Sequence, residues 1–123
     1  MPERPDARAF LPLTPAVFHI LLALADEDRH GYAIAQEVER ATHGEVQLGP
    51  GTLYGTLDRM AGLGLVAETD QRARDRRRVY FSLTPLGLEV ARAEVTRLTG
   101  LIRLARDKSV FSGVSSSISR RSS

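Results

Sequence analysis

The sequence predicts a mostly α fold with a small β-hairpin and a long last helix. Three observations carry this. The Thr14-Pro15 and Thr84-Pro85 steps each precede an apolar beat at helical spacing. Between them, "LVAET" and "RVYFSL" flank the basic turn "DQRARDR". From Ala91 to Ala105 an apolar residue recurs at steps of four and three.

Taken in order, residues 1–12 read as a flexible arm, with Pro2, Pro5 and Pro12 spaced through polar sequence. Thr14 is the N-cap of a first helix whose Val17, Ile20, Leu21 and Leu24 share one face. Asp26 to Arg29 is a polar break. A second helix runs from near Gly31 to about Thr42, with Ile34 and Val38 inward and Glu37, Glu39 and Arg40 outward. "THGEVQLG" is a connector with a short extended piece at Val46–Leu48. A third helix opens at Pro50 and ends at Gly62 or Gly64. The hairpin follows, with Val79, Phe81 and Leu83 facing inward. The last helix spans Pro85 to about Arg106, and the Ser-rich stretch 107–123 is expected to be disordered. Residues 13–84 thus form a winged helix-turn-helix and 85–106 a C-terminal dimerisation helix.

The third helix carries the functional signal. "GPGTLYGTLDRMAGLGLV" holds five glycines, yet Leu53, Leu57 and Met60 keep a helical beat. Each interior glycine costs about 1 kcal/mol relative to alanine. On a helical wheel Gly51, Thr52, Tyr54, Gly55, Asp58 and Arg59 fall on the opposite arc and its flanks. Small residues there allow close approach to a surface. Thr, Tyr and Arg can reach phosphates or base edges, and the helix N-terminus suits a phosphate.

Charge points the same way. Net charge is +2, and Lys108 is the only lysine. Arg72, Arg74, Arg76, Arg77 and Arg78 crowd the expected wing turn, opposed there by Asp75 alone. Such a patch suits a polyanion, although a solvated charged turn has the same composition.

Other function classes lack residues. There is no cysteine, which excludes a disulfide framework, thiol catalysis and a cysteine-ligated zinc. His19, His30 and His43 form no i, i+4 pair, so no metal site is expected. His30 reads as a turn or cap residue. "GPGTLYG" lacks the Lys-Ser/Thr ending of a P-loop. No Ser/His/Asp set is visible. No enzyme activity and no cofactor are expected. Tyr32 reads as a packing residue, and Tyr80 as a phosphate contact or a packing residue. With no signal-like start and no apolar run longer than "VFHILLALA", a cytoplasmic location and no membrane contact are expected.

The stretches "LTPAVFHILLALADEDRHGYAIAQEVE", "LGPGTLYGTLDRMAGLGLV" and "RRRVYFSLTPLG" resemble the PadR family of bacterial transcriptional regulators. The resemblance implies a homodimeric winged-helix repressor in which the C-terminal helix forms the dimer. It puts Thr52 and Tyr54 near DNA and Arg76–Arg78 on or just beyond the wing. It also implies an effector class, small apolar or aromatic molecules, though with no tryptophan a tryptophan sandwich is ruled out. The stretch past Lys108 lies outside the family pattern.

Partners follow. Ala91, Val95, Leu98, Ile102 and Ala105 make a stripe about two heptads long, set apart from Leu86 and Val90, which suffice to hold the helix on its own domain. The stripe is left for a second copy. A two-fold dimer demands a pseudo-palindromic operator in double-stranded DNA. The rival reading is a winged-helix module that binds protein instead.

Overall fold

Both Thr-Pro steps open helices. Thr14 Oγ1 accepts the Val17 N–H at 3.3 Å, and Pro15 begins α1 (Pro15–Ala25). Thr84 Oγ1 accepts the Gly87 N–H at 2.9 Å, and Pro85 begins α4 (Pro85–Asp107). Such caps satisfy amides that the helix itself leaves unpaired. A computed structural model of the chain describes residues 5–69 and 79–110. Between α1 and α4 it places β1 (Arg29–His30), α2 (Gly31–Ala41), α3 (Pro50–Gly62), β2 (Val66–Thr69) and β3 (Tyr80–Leu83).

The helices meet in one apolar core. α1 contributes Ile20, Leu21, Ala23 and Leu24; α2 contributes Ile34 and Val38; α3 contributes Leu53, Leu57 and Met60; α4 contributes Val90 and Ala91. Leu65, Val66 and Phe81 close it from the sheet side. α3 stops where glycine permits a left-handed residue. Gly64 has φ +81°, the Gly64 N–H reaches the Ala61 carbonyl, and the Leu65 N–H reaches the Met60 carbonyl. This is a Schellman ending. It turns the chain straight into β2.

β2 and β3 pair antiparallel, with Val66 opposite Leu83 and Thr69 opposite Tyr80. The corner between this pair and α4 is tightly tied. Thr84 Oγ1 donates to the Gly64 carbonyl at 2.6 Å, and the Thr84 N–H reaches the Leu65 carbonyl at 3.2 Å. Gly87 is buried there, and a Cβ on it would overlap the Leu65 carbonyl oxygen. Only glycine lets α4 pass this close.

Six expectations need correction. The hairpin is part of a three-stranded sheet in the order β1-β3-β2, because Arg29 and His30 pair with Phe81 and Tyr80. A strand of two residues leaves no period-two pattern to read. The connector at Val46–Leu48 is not a strand; Val46 and Leu48 pack on the core while Thr42 Oγ1 accepts the Val46 N–H. Within the expected arm, Ala7–Phe10 form a 3-10 turn capped by Asp6, and Ala7, Phe10 and Leu11 pack on the core. Tyr32 is 64% exposed, so it is not a packing residue, and Val79 is exposed rather than inward. Finally, Ala91 is buried against its own domain and belongs to no outward stripe.

Glu94 has a role that its place in the sequence does not signal. It is buried on the inner face of α4, where it accepts the Leu13 N–H at 3.1 Å and both Nε and Nη2 of Arg97 at 2.6 and 3.0 Å. The Arg97 hydrogen bonds hold the carboxyl below the usual carboxylate range. Burial opposes them, and the Leu13 N–H adds to the lowering. One carboxylate thus ties α4 to the entrance of α1.

Glu94→Gln removes the charge and keeps the shape. The expected loss at neutral pH is about 1–3 kcal/mol, at the lower end because Arg97 stays about a third exposed. A lowered folded pKa stabilises fully above the ordinary value of 4.5, and that stability is lost as pH falls through the folded value. Urea melts at pH 7 and in acid should therefore show the gap between wild type and variant closing in acid. A gap independent of pH would mean the carboxylate charge contributes nothing.

Candidate nucleic-acid interface

α3 is divided sharply into two faces. Leu53, Thr56, Leu57 and Met60 are buried. Gly51, Thr52, Tyr54, Asp58 and Arg59 are exposed, and Gly55 is intermediate. The residues proposed from the helical wheel are therefore brought together on one open arc. Thr56 was missed, although its i+3 step from Leu53 is the helical signal that marks it. Its Oγ1 accepts from Arg59 Nη2 at 3.3 Å, which leans the guanidinium along the helix.

The start of α3 is open as well. Gly49 stands at the N-cap and supplies no side-chain cap, and Pro50 has no N–H. The first-turn amides of Gly51 and Thr52 thus receive no side-chain oxygen, at the positive end of the helix dipole. A Cβ built on Gly51 meets nothing within 4 Å, and one on Gly55 meets only Arg59 Nη1 at 3.9 Å. Neither glycine is required by the chain's own packing.

Tyr54 differs from the expectation of a side chain reaching freely outward. It is 48% exposed, and its hydroxyl end lies against Gly31 at the start of α2. Tyr80 packs inward on β1, where its ring meets His30 edge-on with centroids 5.4 Å apart. His30 Nδ1 accepts the Ala33 N–H at 3.2 Å and so caps α2. Arg72, Arg74, Arg76, Arg77 and Arg78 lie outside the described residues. So does the stretch past Val110.

Comparison with known proteins adds the family. The model of the transcriptional regulator PadR-like family matches residues 20–93, from the middle of α1 into α4. The chain belongs to the PadR-like family of transcriptional regulators. Its relatives by sequence include transcriptional regulator Rv3488 of Mycobacterium tuberculosis, 39% identical over 69 residues. An uncharacterized 37.1 kDa protein in transposon TN4556 of Streptomyces fradiae is 40% identical over 86 residues. The matches cover 56% and 68% of this chain, but 62% of the first relative and 24% of the second. Among solved structures, the complex structure of hsRosR-S4, from H. salinarum, has a TM-score of 0.67 at 27% identity. That match covers 92% of this chain and 99% of that one. The winged-helix architecture of the PadR-like chain is thereby matched along nearly its whole length.

Among the described residues, no group of three or more His, Cys, Asp or Glu could hold a metal ion, and no helix is long and apolar enough to cross a membrane.

The open arc has a direct consequence for stability. Gly55→Ala places a methyl group in ordinary contact with Arg59 and restores helix propensity. It should stabilise the isolated protein by about 0.5–1 kcal/mol. A thermal melt showing a lower midpoint would mean that Gly55 is needed by the fold itself.

Proposed function

We propose that this chain is a dimeric regulator that reads a pseudo-palindromic operator, with α3 of each subunit in a major groove. One observation carries the reading: α3 is anchored by a fully buried inner face and leaves Gly51, Thr52, Gly55 and Arg59 on an arc that the other described residues leave open. Thr52 offers a hydroxyl and a methyl to base edges, and Arg59 offers a guanidinium. Arg72, Arg74 and Arg76–Arg78, in the stretch of sequence between β2 and β3, supply phosphate contacts. The protein acts in the cytoplasm on double-stranded DNA, as a repressor.

Dimerisation rests on the second half of α4. The helix has 23 residues and so is about 34 Å long. Val95, Leu101, Ile102 and Leu104 are 46–50% exposed. Leu88, Val95 and Ile102 recur every seven residues, the repeat of a helix seam. With Ala91 removed, the proposed interface is Val95, Leu98, Ile102 and Ala105, joined by Leu101 and Leu104. A small apolar or aromatic effector bound at this seam would act by changing how the two reading helices are spaced.

Selection of bound DNA from a random library should recover an inverted repeat. Ile102→Asp puts a charge into the apolar seam, so it should yield a folded monomer that loses the operator at protein concentrations saturating for wild type. A wild type that sediments as a monomer at tens of micromolar, about the range in which a specific dimer holds, would sink the seam.

The arginine turn is tested by salt. Removing one phosphate-binding arginine should flatten the slope of log affinity against log salt by about 0.9. The triple variant Arg76→Ala, Arg77→Ala, Arg78→Ala should bind operator and random DNA more weakly and with a shallower slope. An unchanged slope would leave these arginines as solvated charge.

A further inference from the structure

We infer that Gly31 is a positioning residue for DNA reading: it is the seat against which Tyr54 sets the first turns of α3. This rests on α3 being the reading helix.

The contact joins two segments far apart in sequence. Gly31 is the first residue of α2 and is buried. A Cβ built on it would stand 2.5 Å from Tyr54 Oη and 2.7 Å from both Cε1 and Cζ. Real Cβ atoms do not approach this closely, so the tip of the tyrosine ring occupies the space a side chain on residue 31 would need. No other glycine described in this chain has an aromatic ring in that position. Gly31 has no positive φ, so the turn does not demand glycine there. His30 already supplies the helix cap through Nδ1. What remains to require a missing Cβ is the ring of Tyr54.

The seat also decides where Tyr54 can be. The ring also borders an open groove of about 360 Å³ between α2 and α3, lined by Tyr32, Gln36, Leu48 and Pro50 among others. A ring pushed off Gly31 has that groove to enter. A methyl group on residue 31 is therefore accommodated by moving the tyrosine rather than by unfolding the domain. The cost falls on the exposed arc: Tyr54 lies between Thr52 and Gly55, and a shifted ring would crowd the surface those residues present. Sites of recognition need such support from neighbours that lock their rotamers.

A double-mutant cycle tests this, using Gly31→Ala, Tyr54→Ala and the pair of changes. Gly31→Ala should keep a cooperative melt and lose operator affinity about tenfold, the worth of one good contact. Tyr54→Ala should lose a similar factor, and adding Gly31→Ala to it should cost nothing further. Independent of DNA, the Gly31 Hα resonances of the wild type should carry a ring-current shift. That shift should disappear in Tyr54→Ala and persist in Tyr54→Phe, which keeps the ring. Hα shifts unchanged in Tyr54→Ala would overturn the contact. Full operator affinity in Gly31→Ala, or a double variant whose loss is the product of the two single losses, would overturn the positioning role. Wild type that binds no DNA overturns that role together with the DNA-reading function, while the resonance shift separately reports whether the contact exists.

Discussion

Seating α4 in the core is the constraint on which the other elements depend. Val90 is fully buried among residues from the first three helices and the sheet, and one turn later Glu94 closes on the Leu13 amide. An apolar contact alone would fix how deep α4 sits but not its rotation about its own axis. The carboxylate adds direction, since it must face both an amide of the entering chain and the guanidinium of Arg97. Rotation in turn decides which side chains of the distal half point away from the domain. The exposed apolar row from Val95 onward is thus a product of the buried polar contact behind it.

Stability and the proposed recognition occupy separate faces of the same short helix. On α3 the buried residues are what any small core would choose. The exposed ones are poor choices for a helix in water, since Gly51 and Gly55 lower its propensity and Gly49 leaves it without a side-chain cap. Neighbouring packing compensates, because most helical stability in a folded domain comes from the buried face. The PadR-like fold holds an intrinsically weak helix in place from behind and leaves its front open.

Much of this is legible in the sequence, and apart from Thr56, whose signal is local, the main failures share a cause. Helix starts were readable because Thr-Pro steps act locally, and the ends of α3 and α4 because glycine placement and apolar periodicity act over a few residues. The open arc of α3 followed from a wheel of ten residues. What was hidden depends on partners distant in the chain. β1 exists because Tyr80 and Phe81 lie beside it. Ala7–Phe10 are ordered because α4 lies beneath them. Glu94 looked like any acidic helix residue, since the Leu13 amide that it meets lies 81 positions away. Tyr32 and Tyr54 have similar local surroundings, yet one is largely in solvent and the other rests on a glycine. No local pattern separates them.

The corner at Thr84 has one more implication. The hydroxyl of this residue caps α4 and at the same time grips the carbonyl of Gly64, while Gly87 lets the helix pass against Leu65 without an intervening side chain. Bonded on both sides and filled to contact, this corner leaves no room for a hinge between the sheet and α4. In the proposed dimer each α3 is then carried as one piece with its own α4, so the separation of the two α3 helices is set by how the α4 helices pair. DNA whose half-sites differ from that separation has to twist or bend to fit, and the protein cannot flex at this corner to meet it. In that proposed dimer the angle between the paired α4 helices is the joint left to adjust.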